Sequence, residues 1–349
     1  MRRRHAAAAV LGWCLPAWSA QSSPTARGAP AKSLRDKTYG RRGDVLAAAR
    51  SIAAEHELNP QWVEVTLAQA HFVPDVAKLI MPAASPAARN WNTYRARFVE
   101  ARRIEAGLGW WRDNESWLNL AEERFSVPTD IVVGIVGVET YYGRVTGSFR
   151  VLDALATLSF DFPSGRSDRS GFFRSELGHF LKLARREGWD ATTVLGSYAG
   201  AMGLPQFMPS SMLNFALDFD GDSRVDLATN SADVIGSVAH FLAQHGWRRG
   251  MPTHYAVEPP ADITERALLL VPDIVPSFTP LQMAERGARL SDAALQHEGP
   301  LALIELQNGE APRSYVAGTQ NFYTLTRYNA SSYYAMAVIE LGRATAAAR

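Results

Sequence analysis

Cysteine is nearly absent from this sequence, because Cys14 is the only one among 349 residues. A single cysteine cannot form an internal disulfide, so burial and hydrogen bonding must hold the fold together. Apolar runs beyond the amino terminus are also short, and none reaches the ~18 residues of a membrane-spanning helix. No repeat of fixed period is present, which argues against a solenoid or a propeller.

The net charge is also low, since 36 Lys and Arg residues nearly balance 35 Asp and Glu residues and leave +1. Such a balance gives no electrostatic reason to expect nucleic acid as a partner. The chain does contain 9 Trp, 11 Tyr and 15 Phe. Binding to a polymer would therefore depend on shape, aromatic contacts and hydrogen bonds.

The first twenty residues have the order of a secretory signal. Residues 2–4 are arginines, residues 6–18 are mainly apolar, and small residues follow at Ser19 and Ala20. We predict that residues 1–20 are a signal peptide that is removed during export. A helix of the mature fold is the alternative reading of this segment.

Cys14 would be the acylated residue if this signal belonged to a lipoprotein. The preceding residue is Trp13, whereas a lipoprotein signal has a small residue there. We therefore expect cleavage near Ser19 or Ala20 and a product without a lipid anchor.

A chain of this length exceeds what one hydrophobic core usually serves, so two or three domains are expected. Composition suggests the boundaries. They are a flexible tether at 21–43, an N-terminal helical domain at 44–120, a catalytic core at 121–252, a small β domain at 253–320 and a C-terminal segment at 321–349 that returns to the core.

Apolar periodicity predicts six helices and three short strands. The helices are expected at 45–55, 87–107, 128–142, 171–187, 232–245 and 331–347. The strands are expected at 267–271, 301–306 and 321–326, between Pro and Gly residues.

One carboxylate, Glu139, ends an unusually apolar helix. The eight residues after Asp130 are apolar or glycine, which predicts a buried helix, and Gly134 and Gly137 suggest a close neighbour. The helix dipole and burial both disfavour a charged carboxyl at Glu139, so its pKa should rise. A carboxyl that stays protonated near neutral pH can act as a general acid. The alternative is a structural glutamate paired with a buried arginine or capping a loop.

Two long motifs resemble one enzyme family. The segments GVETYYG at 137–143 and GSYAGAMGLPQFMPSS at 196–211 are similar to the membrane-bound lytic transglycosylase B family, glycoside hydrolase family 103, in a soluble-type form. The segments at 232–239 and 321–329 extend the resemblance over most of 45–345. It implies a mainly α (α+β) protein, with a lysozyme-like helical core, an additional helical domain and a small antiparallel β domain.

The resemblance also implies the reaction. Family members cleave the β-1,4 bond between N-acetylmuramic acid and N-acetylglucosamine in peptidoglycan without using water, and leave 1,6-anhydromuramoyl ends. Glu139 matches their single catalytic glutamate. One carboxylate can suffice because the attacking hydroxyl belongs to the substrate, whereas ordinary glycosidases need a second carboxylate.

Further residues match the family's substrate-binding positions, although ordinary loop structure is the alternative for each. Two departures occur: Asp168 replaces one of two adjacent arginines, and Phe241 stands where a tyrosine is common. The matching residues are Ser197, Gln206, Tyr328, Asn329, Tyr334, Arg169 and Tyr142.

An acidic loop resembles an EF-hand. Ser223 stands at the usual glycine position and Thr229 at the usual closing glutamate, and the family resemblance implies that Asp233 closes the loop. We predict structural Ca²⁺, and a solvated acidic turn is the alternative. The expected ligands are Asp218, Asp220, Asp222, the main-chain carbonyl of Arg224, Asp226 and Asp233.

Two rival functions are also compatible with the sequence. A hydrolytic, lysozyme-type muramidase would need a second acid, for which Asp153 and Asp161 are the nearest candidates. A catalytically silent peptidoglycan-binding protein would need no acid. The resemblance implies a monomer in the Gram-negative periplasm that binds glycan strands, with cell-wall synthesis or remodelling proteins as candidate partners.

Overall fold

The computed structural model describes residues 38–40, 42–81 and 90–349. The predicted signal peptide, Cys14 and the first part of the predicted tether, 21–37, lie outside the described residues. The packed body begins earlier than predicted, because the Tyr39 side chain is 1% exposed. Its hydroxyl donates a hydrogen bond to Asp161 at 2.6 Å. This burial corrects the tether boundary at residue 43.

Within the described residues, six helices precede the central helix bundle. The predicted helix at 87–107 is two helices in its described part, because Glu100 interrupts it and its carboxylate accepts a hydrogen bond from the Arg102 N–H at 2.8 Å. Such an N-cap starts a new helix. The helices are α1 (Gly43–Glu55), α2 (Pro60–Leu67), α3 (Pro74–Leu79), α4 (Trp91–Phe98), α5 (Ala101–Asp113) and α6 (Glu115–Phe125).

The core is built around a buried helix. Residues 131–138 are all buried in it, as the apolar run predicts. The core elements are α7 (Thr129–Thr140), β1 (Phe149–Arg150), α8 (Val151–Phe160), α9 (Ser170–Glu187), β2 (Leu195–Gly196), α10 (Pro209–Phe215) and α11 (Ser231–Gln244). Strands β1 and β2 pair antiparallel.

A four-stranded antiparallel sheet with order β4-β3-β6-β5 forms the small domain. Three short helices accompany it, and six buried apolar residues, among them Leu269 and Met283, form a core separate from the main one. Its elements are β3 (His254–Glu258), α12 (Ile263–Leu270), α13 (Pro280–Glu285), β4 (Arg289–Leu290), α14 (Asp292–Leu295), β5 (Ala302–Asn308) and β6 (Ala311–Gly318).

Two of the three predicted strands are helical. The segment 267–271 falls largely in α12, whose N-cap Asp262 accepts hydrogen bonds from the Thr264 and Glu265 N–H groups. The segment 321–326 lies within α15 (Gln320–Tyr328), which follows the N-cap Thr319. Capping and packing outweigh the weak β propensity of these runs. The strand expected at 301–306 corresponds to β5.

The last helix, α16 (Ser332–Ala347), lies against α7 at very close range. A Cβ placed on Gly134 would lie 2.2 Å from the Val338 carbonyl oxygen, and one on Gly342 would lie 2.1 Å from that of Asp130. The two glycines therefore allow backbone to approach backbone. This contact brings the C-terminal helix to the end of α7, where Glu139 lies.

Candidate active site

Glu139 is the penultimate residue of α7, and its side chain meets α16. The Tyr334 hydroxyl donates a hydrogen bond to Glu139 Oε1 at 2.6 Å. Glu139 makes no ion pair with any described residue. Burial raises the pKa of Glu139 to about 7, and the hydrogen bond from Tyr334 partly opposes that rise. The carboxyl is thus half protonated near neutral pH, as a general acid requires.

The chain leaves α7 through a turn with an unusual backbone. Tyr141 and Tyr142 both have positive φ, 53° and 57°, and Gly143 follows at 87°. Two non-glycine residues in this region are held only by their surroundings. Thr140 supplies part of that support, because its hydroxyl donates to the Leu204 carbonyl at 3.0 Å and accepts from the Gly143 N–H at 3.1 Å. This turn is therefore tied to the glycine-rich segment 196–211.

Tyr328 and Tyr334 stack beside Glu139, with ring centroids 6.2 Å apart. Tyr328 donates to the Pro205 carbonyl at 2.5 Å. Burial and the nearby Glu139 carboxylate raise the pKa of both tyrosines well above the usual value, so both keep their protons. Phe241 packs edge-on against Tyr328 at 4.9 Å and is 5% exposed. The ring at position 241 thus supports the tyrosine pair without a hydroxyl.

Three other predicted substrate residues belong to segments that meet this pair. Asn329 is buried, and its Oδ1 has no hydrogen-bond partner among the described residues. Gln206 donates through Nε2 to the Thr146 and Gly203 carbonyls, at 3.1 and 2.8 Å. Ser197 accepts a hydrogen bond from the Ala201 N–H at 3.0 Å. A buried acceptor without a partner needs an explanation, and a ligand group or a water molecule that donates to Asn329 Oδ1 would supply one.

Tyr142 points away from this arrangement. Its hydroxyl is buried between α5 and α7, where a Cβ on Gly107 would lie 2.4 Å from it and one on Gly137 2.6 Å. Burial raises the pKa of Tyr142 to about 12. A hydroxyl held inside a helix interface cannot reach a ligand, which corrects the predicted sugar contact of Tyr142.

Arg169 and Asp168 lie at the start of α9. The Arg169 guanidinium stands 4.5 Å from the Phe172 ring centroid and 5.6 Å from that of Phe173. Asp168 accepts hydrogen bonds from the Ser170 N–H at 2.8 Å and the Ser170 hydroxyl at 3.1 Å. The acidic residue at 168 therefore binds the first residue of α9, and Arg169 is the single arginine of this pair.

Arg103 is a supporting residue that no sequence motif indicated. Its guanidinium donates to the Gly137 carbonyl at 2.6 Å and lies 4.3 Å from the Tyr141 ring centroid. The same carbonyl accepts a hydrogen bond from the Tyr141 N–H at 3.2 Å, and a cation at a helix C-terminus complements the dipole. Arg103 thus holds the last turn of α7 from α5, 34 residues earlier in the chain.

Neither candidate for a second catalytic acid is free. Asp161 binds Arg42 through two hydrogen bonds, at 2.9 and 2.7 Å. Asp153 accepts from the His71 N–H at 2.9 Å and lies 3.4 Å from Arg150. Both carboxylates hold the N-terminal segments against α8, so neither of these two residues is available as a second acid.

The acidic loop follows α10. Asp218, Asp220 and Asp222 can direct one carboxylate oxygen each to a common point, since these atoms lie within 4.8 Å of one another. Asp226 instead accepts hydrogen bonds from Ala228 and Thr229.

Asp233 does not join the three carboxylates either. Its two oxygens accept from the Phe219 and Asp226 N–H groups, at 2.8 and 2.7 Å. Asp233 therefore holds the two ends of the loop together in place of closing it as a ligand, and three of the five predicted carboxylates converge.

Comparison with known proteins agrees with this geometry. The transglycosylase SLT domain family matches residues 42–343. The membrane-bound lytic murein transglycosylase B of Escherichia coli is 38% identical over 84% of this chain and 80% of its own length. Among solved structures, lytic transglycosylase SltB1 of Pseudomonas aeruginosa superposes with a TM-score of 0.81 at 36% identity, covering 89% of this chain and 99% of its own.

The Escherichia coli lytic transglycosylase Slt35, solved in complex with calcium, has a TM-score of 0.77 at 36% identity, covering 88% of this chain and 94% of its own. No helix in the described part of the chain is long and apolar enough to cross a membrane. The predicted family and the lysozyme-like helical fold are confirmed. This chain belongs to the transglycosylase SLT family.

Proposed function

We propose that this chain is a lytic transglycosylase that cleaves peptidoglycan glycan strands, with Glu139 as its only catalytic acid and base. The observation that carries the proposal is a carboxyl with a pKa of about 7 that is hydrogen-bonded to Tyr334 and forms no ion pair with any residue that the structure describes. A carboxyl that is half protonated near pH 7 can donate a proton and then accept one. A silent binding protein would not need such a carboxyl.

The proposed reaction moves one proton out of Glu139 and one proton back. Glu139 donates its proton to the departing glycosidic oxygen as the bond to C1 of N-acetylmuramic acid breaks. The 6-hydroxyl of the same sugar attacks C1, and its proton passes to the Glu139 carboxylate. The products are an N-acetylglucosamine end and a 1,6-anhydromuramoyl end. Attack within one sugar avoids most of the entropic cost of recruiting water.

The tyrosine pair would orient the acid. Tyr334 keeps its proton and donates to Oε1 at 2.6 Å, which favours the carboxylate formed after proton donation. Asn329, Gln206 and Ser197 would contact the sugars, and the unpaired Asn329 Oδ1 would accept from a hydroxyl or acetamido N–H.

Product analysis tests the reaction against hydrolysis. Purified sacculi are digested and the products are analysed by mass spectrometry. The chain ends are expected to be about 18 Da lighter than hydrolytic ends, because no water is added in the intramolecular reaction. Reducing ends in their place would establish a muramidase and overturn the proposal.

We also propose that the acidic loop binds Ca²⁺ through Asp218, Asp220, Asp222 and the Arg224 carbonyl. Three carboxylates that converge within 4.8 Å repel one another unless a cation is present, and Ca²⁺ prefers oxygen ligands. The site would stabilise the loop and take no part in proton transfer. The related Slt35 has been solved in complex with calcium.

At a free Ca²⁺ concentration of ~100 times the dissociation constant, the melting temperature is expected to be about 5 °C higher than in the presence of a chelator. Asp220→Asn combined with Asp222→Asn should remove most of this difference, because two ligands lose their charge. Asp113→Asn is the control, since its side chain is 74% exposed and far from the loop in sequence. Equal melting curves with calcium and chelator for the unmodified chain would rule the site out.

We propose a periplasmic location. The charged, apolar and small-residue order at 1–20 supports export, and the E. coli relative is described as membrane-bound. The mass of the mature protein checks this: a start near residue 20 is expected, and an acylated Cys14 at the start would contradict it.

A further inference from the structure

Arg103 on α5 is a half-buried cation without a counter-ion. Its guanidinium lies 5.3 Å from the Phe98 ring centroid and 4.3 Å from that of Tyr141. Within the described residues it forms no ion pair, and its buried Nε has no hydrogen-bond partner. Burial lowers the pKa of Arg103, but a guanidinium keeps its charge at any physiological pH. Burying such a group costs free energy, so its position needs an explanation.

The guanidinium is directed at the end of the catalytic helix. It donates a hydrogen bond to the Gly137 carbonyl in the last turn of α7, at 2.6 Å. That oxygen does not depend on Arg103, because the Tyr141 N–H also donates to it, at 3.2 Å. The contribution of Arg103 is therefore its charge, since the carbonyls at a helix C-terminus carry a partial negative charge that a cation offsets.

Arg103 also holds the residue that ends α7. Tyr141 has a φ of 53°, and a non-glycine residue keeps such a backbone only when its surroundings impose it. The Tyr141 ring is contacted by two guanidinium groups, those of Arg103 at 4.3 Å and Arg144 at 4.8 Å. One side chain thus binds both the ring and the Gly137 carbonyl, which fixes the last turn of α7 and the direction of the Glu139 side chain.

Glu139 lies two residues after Gly137 and receives no positive charge from a direct contact. The titratable groups that face its carboxyl are Tyr334 on α16 and Tyr328 on α15, and both are neutral. No hydrogen bond or ion pair joins Arg103 to Glu139 in the described part of the chain. The groups that face Arg103 are Glu100, Tyr141 and Tyr142. At the other end of α7 lie Asp130, Glu122 and Arg343.

We propose that Arg103 is a positioning residue for Glu139. Its guanidinium fixes the last turn of α7 and offsets the negative charge of that helix end, so the carboxylate formed when Glu139 gives up its proton is stabilised in place. The inference rests on the proposed function, because it assumes that Glu139 is the acid and base. Arg103 acts through the helix and not on the substrate, since its guanidinium packs on Phe98, Tyr141 and the α7 backbone.

The kinetic test is Arg103→Met, which keeps an unbranched side chain and removes the charge. On solubilised sacculi, kcat is expected to fall about fivefold, and the pH above which kcat/KM declines should rise by about 0.7 units, because the negative helix end then disfavours the carboxylate more strongly. KM should not change, because Arg103 does not contact the sugars. Arg103→Lys, which keeps the charge, should restore the pH profile and most of kcat.

The melting temperature separates this role from a structural one. Replacing a buried charge that lacks a counter-ion by an apolar group is often neutral or stabilising, and the Gly137 carbonyl keeps its hydrogen bond from Tyr141. Arg103→Met should therefore melt at the same temperature as the unmodified chain or higher. A merely structural arginine would give a lower melting temperature and an unchanged pH profile. Arg112→Met is the control, because Arg112 lies on the same helix with its side chain 80% exposed, and it should change neither.

The effect on Glu139 can also be measured without substrate. The stability difference between Glu139→Gln and the unmodified chain, followed against pH, reports the pKa of Glu139. The same comparison on the Arg103→Met background should give a pKa about 0.7 units higher. An unchanged pKa, or an Arg103→Met enzyme with undiminished kcat, would overturn the assignment. If the unmodified chain formed no anhydro ends, the proposed function would be refuted instead, and the substrate-free measurement would still test Arg103.

Discussion

Glu139→Gln is expected to lower turnover on purified sacculi by about 10³-fold, within the range for loss of a general acid and base. Glutamine keeps the shape of the side chain and can still accept the hydrogen bond from Tyr334, which is 2.6 Å long in the structure. It cannot give a proton to the departing oxygen. The release of soluble sugar-peptides measures turnover, and co-sedimentation with sacculi should show unchanged binding.

Glu123→Gln is the control for this variant, because Glu123 lies exposed on α6. It should leave both turnover and binding unchanged. If Glu139→Gln still digests sacculi at a rate close to that of the unmodified chain, another group carries the chemistry.

Glu139→Gln should also change how the free energy of unfolding depends on pH. The pKa of Glu139 is about 7 in the folded chain against an ordinary 4.5, so between these values the folded state holds a proton that the unfolded state has released. Stability is therefore lost as pH rises from 4.5 to 7. At pH 8 Glu139→Gln should be more stable than the unmodified chain by about 3 kcal/mol, and at pH 4 the two should melt alike. For the unmodified enzyme, kcat/KM should fall above about pH 7 as the acid loses its proton.

Gly134→Ala is expected to lower the free energy of unfolding by about 3 kcal/mol, the cost of forcing a methyl group into a packed interface. The new Cβ would lie 2.2 Å from the Val338 carbonyl oxygen and 3.0 Å from its carbon. These atoms are backbone and cannot move aside alone. Gly342 closes the same interface against Asp130, so α16 would have to shift as a whole, and Tyr334 with it. Denaturant titration measures the change.

Gly171→Ala is the matched control, since a Cβ there would meet nothing within 4 Å. Position 171 lies in the first turn of α9, where alanine should be neutral or stabilise by up to about 1 kcal/mol. If Gly134→Ala proved as harmless as Gly171→Ala, the close contact between α7 and α16 would be absent in solution.

Several local features could be predicted from the sequence, because residues close together in the chain determine them. The buried helix with Glu139 at its end follows from eight apolar or glycine positions in a row. It was predicted at 128–142, and both ends of α7 lie within two residues of that range. The close neighbour suggested by Gly134 and Gly137 exists. The alternating aspartates of the acidic loop likewise converge in part, because alternate side chains of a tight loop share a direction. The family resemblance came from a sixteen-residue block that local chemistry alone would not explain.

Contacts between distant segments were decided only by the tertiary structure. The partner of Glu139 is 195 residues away along the chain, and Arg103 reaches α7 from a different helix. No spacing rule predicts either, because packing sets which helices meet. Tyr142 shows the same limit: two left-handed residues after α7 turn its ring into the interior. The segments 267–271 and 321–326 became helices because caps and burial outweighed a β preference of a few tenths of a kcal/mol per residue. Sequence thus determined what each segment can do, and packing determined which segments do it together.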